Sequence, residues 1–312
     1  MKLIRLIRAS IKYIFSSNYR FVFNSQKNKY KKLPDETYLK KMFKATIGNE
    51  LDLDNPKTFN EKLQWLKLYD RKPEYNIYVD KYRVRDYIAN ILGEEYLIPL
   101  IGVWDNPDDI DFDKLPDRFV LKCNHNSGLG MCICKDKSKL DINRVKSELR
   151  KGLSQDYYLY GREWPYKDVP RKIIAEEYIA HSNGEEIKDY KLWCFSGKVK
   201  VILTCSERFS KTGLKENFYT PQWELLDLKR PKHSNTDHAI PMPININKMI
   251  DCAELLSAGH KFLRVDFYEV DGRIYFGELT FFPASGFEKF EPREWDDKLG
   301  EAITLPERKN EI

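Results

Sequence analysis

Residues 264–286 read RVDFYEVDGRIYFGELTFFPASG. Two runs of β-branched and aromatic residues, 263–268 and 273–279, are parted by Asp271-Gly272, a dipeptide suited to the left-handed conformers of a tight hairpin turn. The spacing predicts an antiparallel hairpin, and a hairpin determines which side chains share a face. Asp266 falls on the outgoing strand and Glu278 on the returning one, with Thr280 two positions on and pointing the same way. Val265, Phe267, Phe276 and Leu279 around them are core residues by type, and an acid in such company is paired or bound to a metal. Two carboxylates and a side-chain oxygen converging on one place suit Mg²⁺ carried by nucleotide phosphates. The competing reading, a pair of solvent-facing strand acids, fits those apolar neighbours less well.

The same β-type signal recurs over 118–122, 131–134, 172–175, 190–195 and 198–205, and Ser196-Gly197 joins the last two as a second hairpin. Upstream the signals are helical. Thr58 and Glu61 form a capping-box string before Phe59, Leu63, Trp65, Leu66 and Leu68, and a second helix is expected over 78–92, ended by Gly93. The acidic, Pro-bearing DNPDDIDFDKLP (105–116) lies where the pattern changes and marks a boundary. The chain, 312 residues long, is therefore expected to be α+β. Its expected parts are a basic segment at 1–32, a helical region at 33–117, and two lobes across a cleft at 118–170 and 171–312.

Net charge is +5, and its distribution decides what it means. Nine of the 53 Lys and Arg precede the first acid, Asp35, and the 44 that remain are outnumbered by 48 acids. A chain that is acidic beyond its tail is not read as a nucleic-acid binder. In that tail Leu3, Leu6, Ile7, Ile11, Ile14 and Phe15 recur at helical spacing opposite Arg5, Arg8 and Lys12. A basic amphipathic helix over residues 1–20 can lie on an anionic membrane surface, each basic residue contributing about 1 kcal/mol. Packing on its own domain or on a partner fits the pattern equally, and both readings stay open.

No apolar run approaches the ~20 residues of a membrane-spanning helix. Lys2, Arg5 and Arg8 interrupt the apolar start, unlike a secretory signal. A cytoplasmic location is expected, at the inner face of the cytoplasmic membrane if the amphipathic helix docks there. Six cysteines do not form the dense framework of a small secreted domain, and C-x-H-x6-C-x-C over 123–134 lacks the paired knuckles of structural zinc. Reduced thiols are expected.

Two further strings carry less by themselves. FVLKCNHNSGLG places Lys122 at a strand end before a loop with Gly128 and Gly130, where a lysine and backbone N–H groups can meet phosphate oxygens. It is neither a Walker loop nor a dinucleotide fingerprint, and alone an ordinary hairpin turn fits it better. RKIIAEEYI is an apolar strand ending in Glu176 and Glu177, able to offer backbone groups to an adenine edge, and DYKLWCFSGK follows with Asp189 and Lys191.

Taken in order, Asp80-Lys81, VLK with its glycine loop, IIAEEYI, DYK and RVDF…FGELT resemble the ATP-grasp superfamily. More closely, TFNEKLQWLKLYD, DKYRVRDYI, YLIPLIGVWD, FVLKCNHNSG and DYKLWCFSGK look like the TupA-like ATP-grasp family of teichuronopeptide and surface-polysaccharide biosynthesis, over about residues 51–290. The resemblance implies an ATP-grasp fold, two α+β lobes with ATP and Mg²⁺ between them. It implies that Lys81 and Lys122 contact ATP phosphates and that the loop carrying Asn126, Ser127, Gly128 and Gly130 closes over them. Glu176 and Ile179 would hold adenine through their backbones, with Glu177 beside them, and Asp189 would take ribose. Lys191, Arg208 and Arg264 fall at catalytic positions. Lys191 would meet phosphate or substrate, and Arg208, expected on the strand after Ser196-Gly197, the transferred group or an acceptor carboxylate. Asp266, Glu278 and Thr280 fall at metal positions. Members of the ATP-grasp superfamily commonly carry Asn where Thr280 stands, and often Pro with more glycines where Cys123 and Asn124 stand.

The implied activity is ATP-dependent carboxylate–amine ligation through an acyl phosphate. An amino acid or amine would be joined to a uronic-acid carboxylate of a sugar or polysaccharide precursor in bacterial capsule or cell-envelope biosynthesis. Such phosphoryl transfer asks mainly for positioning and charge neutralisation, which suits this set of lysines, arginines and acids. Three alternatives remain: a glycosyltransferase, suggested by D-x-D strings at 52–54 and 109–113 that lack a preceding hydrophobic strand; an ATP-grasp sugar kinase; and a catalytically silent membrane-attached scaffold, hinted at only by Thr280.

Overall fold

A computed structural model describes residues 10–208, 210 and 213–308. Contacts divide the chain into two units. One is drawn from the chain up to Arg71, from 158–164 and from the chain after Phe281; the other comprises 72–157 and 165–281.

The first unit is helical, with Ser17–Ser25, Asp35–Thr46, Phe59–Tyr69 and Glu294–Glu301 as its main elements. The expected capping box is present: Glu61 N donates to Thr58 Oγ1 at 3.2 Å and Thr58 N donates to Glu61 Oε2 at 3.0 Å. From that start Phe59, Leu63 and Leu66 are buried, as are Tyr38, Leu39, Met42 and Phe43 of the preceding helix. Lys67 of the same helix has no exposed surface. Its Nζ donates to Gln64 Oε1 at 2.8 Å, Gly161 O at 2.7 Å and Ser285 O at 2.9 Å. Burial pushes this amine down to about 7, yet three acceptors match the three protons of an ammonium and favour the charged form. Leu3, Arg5, Leu6, Ile7 and Arg8 of the expected amphipathic helix lie outside the described residues. Within them residues 10–15 are helical, and Ile11, Ile14 and Phe15 are exposed. Among the described residues no helix is long and apolar enough to cross a membrane.

The second unit holds two antiparallel sheets. The first contains β1 (Leu100–Trp104), β2 (Phe119–Cys123), β3 (Met131–Cys134) and β4 (Ile173–Glu177) in the order β1-β4-β2-β3. The second contains β5 (Asp189–Phe195), β6 (Lys198–Ser206), β7 (Lys215–Tyr219), β8 (Phe262–Val270) and β9 (Arg273–Thr280) in the order β7-β6-β5-β8-β9. Both expected hairpins form, and their turns hold consecutive left-handed residues, Ser196-Gly197 at φ 49° and 79° and Asp271-Gly272 at φ 50° and 78°. Helix Ile142–Ser154 covers the first sheet, burying Val145 and Leu149 with Phe119, Leu121 and Ile173. Helix Ile246–Ser257 packs on β5, β6 and β8.

Several elements differ from expectation. The strand β1 lies within the stretch 33–117 expected to be helical and pairs with β4 far along the chain. The string DNPDDIDFDKLP therefore joins two strands of one sheet, through short 3-10 turns capped by Asn106 and Asp111. The strand β7 and the helices Ile142–Ser154 and Ile246–Ser257 were not anticipated. The helix expected over 78–92 is broken into Tyr75–Tyr78 and Val84–Ile91. Buried Asp80 causes the break: its Oδ1 accepts from Tyr82 N at 2.9 Å and Arg83 N at 3.3 Å, restarting the chain as a cap does.

Gly152 of the covering helix meets the β2–β3 loop. A Cβ there would stand 2.7 Å from Gly130 Cα and 2.7 Å from Cys123 Sγ. In an open helix Gly→Ala stabilises by about 1 kcal/mol, but overpacking a closed contact costs about 1–3 kcal/mol. Gly152→Ala is therefore expected to lower stability despite the better helix former, as a reduced urea midpoint at unchanged m-value.

Candidate active site

Along β2, Phe119, Leu121 and Cys123 point into the core while Val120 and Lys122 take the other face. Register sets Val120 between Ile133 and Glu176, and Lys122 between Met131 and Ile174. Met131 and Ile133, 49% and 38% exposed, thus present apolar side chains to open space beside Val120. With Ile98, Tyr178 and Phe276 they line one end of a cleft of about 1190 Å³. The Arg118 guanidinium lies 5.3 Å from the centre of the Tyr178 ring.

Further in, the buried Glu176 carboxylate joins two cations: Lys122 Nζ lies 2.5 Å from Oε2 and Arg85 Nη1 3.1 Å from Oε1. Because β4 is flanked by both β1 and β2, the Glu176 backbone belongs to the sheet ladder and its side chain faces the cleft. Tyr178, Ile179 and Ala180, just past the strand, line the cleft with Glu177. Lys81, in the break between helices, donates from Nζ to Asn126 O at 2.6 Å and from its backbone N to Asn124 O at 3.1 Å. Burial lowers the Lys81 pKa and Lys122 adds to this, while Glu278 opposes it. Asn124 is a buried junction, donating to Asp80 Oδ1 and Pro170 O, each at 2.8 Å, and accepting from Lys172 N at 2.7 Å. Asn126, Ser127 and Gly128 line the cleft. Gly130 does not: at φ 69° it packs on Gly152, so close helix contact accounts for this glycine.

The second sheet supplies the opposite wall. Lys191, Asp266 and Glu278 form one row across β5, β8 and β9, and Tyr268, Asp189, Cys205 and Glu216 form the next across β8, β5, β6 and β7. Arg264 donates from Nε to Asp266 Oδ1 and from Nη2 to Oδ2, both at 2.7 Å, and Nη2 also reaches Glu278 Oε1 at 2.7 Å. Lys191 Nζ meets Asp266 Oδ2 at 2.5 Å. Burial raises the Asp266 pKa, and Arg264 and Lys191 offset this only in part. Burial would raise Glu278 too, but Arg264, Lys81 and Lys191 hold it down to about 2. Thr280, opposite Arg264 in the ladder, donates from Oγ1 to Glu278 Oε1 at 3.3 Å and does not line the cleft.

These donors fit a divalent cation. Glu278 stays anionic, its side chain is 32% exposed, and among the described residues its Oε2 accepts no hydrogen bond. Asp266 keeps lone-pair capacity beyond its bonds to Arg264 and Lys191. With Thr280 hydrogen-bonded to Glu278, two carboxylates face the cleft, donors of the kind that Mg²⁺ with phosphates takes. Arg208 lies beyond β6 and not on it, because Glu207 at φ 54° turns the chain out of the strand. Its guanidinium pairs with Asp189, and its N donates to Glu186 Oε1 at 2.8 Å.

All of the expected site residues except Gly130 and Thr280 line this one cleft. Not anticipated were Arg85, the apolar group Val120, Met131, Ile133 and Phe276, and the ion pair Glu216–Arg230. Period-two alternation in MCIC was the available signal for Met131 and Ile133, and one helical turn from Lys81 that for Arg85. Both D-x-D strings serve turns: Asp52 Oδ1 accepts from Asp54 N and Asn55 N, and Asp111 caps a 3-10 turn. The six cysteines are free.

A cleft walled by two antiparallel sheets, one bringing lysines and a glycine loop and the other an acidic hairpin, is the architecture of the ATP-grasp class. The family described as TupA-like ATPgrasp matches residues 61–304, and the chain belongs to that family. Similar solved structures include D-alanine–D-alanine ligase from Bacillus anthracis complexed with ATP, at 19% identity and TM-score 0.42, covering 73% of this chain and 65% of that one. D-alanine–D-alanine ligase from Helicobacter pylori is similar at 14% identity and TM-score 0.42, covering 80% and 70%. The ATP-grasp ligase PsnB, complexed with a phosphomimetic variant of its minimal precursor, Mg and ADP, is similar at 12% identity and TM-score 0.41, covering 78% and 64%. The chain thus spans less than two thirds of the first of these proteins. No curated protein matches.

A carboxyl whose pKa is lower in the folded state contributes stability that is present above its unfolded pKa and is lost as pH falls through the folded one. For Glu278 that window runs from the ordinary 4.5 down to about 2. Glu278→Gln is expected to flatten the acid limb of the urea midpoint against pH across that window.

Proposed function

We propose that this protein is an ATP-dependent carboxylate–amine ligase. The reading rests on one observation: an apolar slot, paired lysines and an acidic hairpin succeed one another along a single cleft. Val120, Met131, Ile133 and Phe276 would sandwich the base, while Lys81 and Lys122 offset phosphate charge and the Asn126–Gly128 loop excludes water. Asp266 and Glu278 would hold Mg²⁺, which when bound supplies positive charge against the phosphate oxygens. A substrate carboxylate oxygen forms a bond to the γ-phosphorus as the bond to ADP breaks. The amine nitrogen then attacks the acyl carbon, inorganic phosphate leaves with the C–O electron pair, and the amine proton is released. Arg264 and Lys191 would offset negative charge building on the transferred group, and Arg208, lining the same cleft, would face the acceptor. Asp189, expected at ribose, is assigned to anchoring Arg208, because its carboxylate takes that guanidinium.

The acceptor proposed from the family is a uronic-acid carboxylate of a surface-polysaccharide precursor, with an amino acid or amine as donor. Glu278→Gln and Lys122→Ala are each expected to lower ADP release by at least about 100-fold, with far-UV circular dichroism unchanged. Undiminished release by either folded variant would reject the assignment.

Exposed Ile11, Ile14 and Phe15 beside Lys12 support peripheral attachment to an anionic leaflet. Ile14→Glu/Phe15→Glu is expected to abolish co-sedimentation with phosphatidylserine vesicles while leaving ADP release intact. Equal sedimentation of both proteins would remove the membrane from the proposal.

A further inference from the structure

Beyond the phosphate end, the cleft runs on over β5, β6 and β7. Its floor there is the row Asp189, Cys205, Glu216, read directly from the ladder registers. Adjacent strands lie about 4.8 Å apart, so Glu216 stands about 10 Å from Asp189 and about 15 Å from β8, which carries Asp266. At that distance from Asp266, Glu216 lines a part of the cleft where a second substrate could sit beside a metal-bound triphosphate.

Glu216 is an unusual floor residue, for it is 3% exposed and ionisable. It is held by Arg230, whose Nε donates to Oε2 at 2.7 Å while Nη2 bonds Oε1. A parallel two-bond fork of this kind fixes the guanidinium plane as well as its charge. Both Arg230 and His233, the latter 3.9 Å from Glu216, line the cleft. The segment carrying them is fastened along the edge of β7: Glu216 N donates to Ser234 O at 3.0 Å, Lys215 Nζ to Ser234 Oγ at 2.9 Å, and Thr236 N to Asn217 Oδ1 at 3.2 Å. A segment bonded to the sheet at three successive residues is a rigid wall, and rigid walls place recognition groups accurately. Two strands away Arg208 likewise pairs with a cleft acid, Asp189, through Nη2.

We infer that Arg230, oriented by Glu216, is a recognition residue for a carboxylate on the second substrate, with Arg208 between it and the reacting group. This rests on the ligase reading and adds to it the wall that selects the acceptor. A guanidinium held in plane by one carboxylate is suited to grip another, and it discriminates against a neutral analogue of the same size. Glu216 acts through Arg230 and is a positioning residue.

The test compares wild type with the double variant Glu216→Gln/Arg230→Gln, in which two amides can pair and no charge is left buried alone. Thermal shifts are read with Mg-ATP alone, and then with D-glucuronate, L-glutamate, L-alanine or D-glucose added. At about ten times its Kd, a carboxylate probe is expected to raise the wild-type melting temperature by about 2–4 °C, with no rise from D-glucose. The double variant should keep its Mg-ATP shift and bind the same probe at least tenfold more weakly. Glucuronate acting alone identifies a uronate, and the amino acids acting alone an amino-acid carboxylate. Equal shifts in both proteins, or no carboxylate probe shifting the wild type, overturn the inference. A missing Mg-ATP shift in wild type instead overturns the ligase reading beneath it.

Discussion

The bonds from Arg264 to Asp266 and Glu278 are the constraint on which the cleft depends. Asp266 is 2% exposed in the middle of a strand whose neighbours, Val265 and Phe267, have no exposed surface. A carboxylate there is tolerable only with its counter-charges in place, since an uncompensated buried charge costs about 3–5 kcal/mol. The guanidinium two residues earlier on the same strand and Lys191 across the ladder supply them. The residues that make the site are thus also those that make the strand possible, and hairpin register could not slip by one without exposing the pair.

The wider charge pattern follows from this. Lys81, Arg85, Lys122, Lys191, Arg208 and Arg264 are set among Glu176, Asp189, Asp266 and Glu278, so that each of these acids has a cationic partner. A polyanion entering such a cleft meets cations that are already oriented, with little reorganisation left to perform. The glycine loop is held from below, by Asn124 bonded to Asp80 and Lys172 and by Gly130 seated on Gly152. Its tip, Ser127–Gly128, stands free of that anchoring and lines the cleft.

Local chemistry was legible in the sequence wherever it decided structure. Asp271-Gly272 and Ser196-Gly197 demand left-handed turns, so both hairpins could be read, and with the first came the meeting of Asp266 and Glu278. What stayed hidden depended on partners far along the chain. Leu100–Trp104 has a proline before it and a glycine within it, and becomes a strand because β4 pairs with it. Ile133 and Met131 read by type as core, and only the sheet order leaves them facing open space. Asp80, next to Lys81, breaks a helix that periodicity alone would continue, and the Asn124 amide that holds it comes 44 residues later. Glu216 and Arg230 find each other across 14 residues with no periodic relation.

Lys67 carries a consequence for how the chain is made. Its partner Ser285 follows 218 residues later, and the unit they share also takes in Gly161 from between. At ribosomal speeds of about 5–20 residues per second, the helix bearing Lys67 emerges about 10–40 s before the segment that covers it. Until then its ammonium faces water and its apolar side has no lid. The helical unit therefore completes only after the segment following Phe281 has been made, while the two-sheet unit, encoded in between, is already available to fold. A chain stalled before Phe282 would leave Lys67 without its Ser285 acceptor and that side of its helix uncovered.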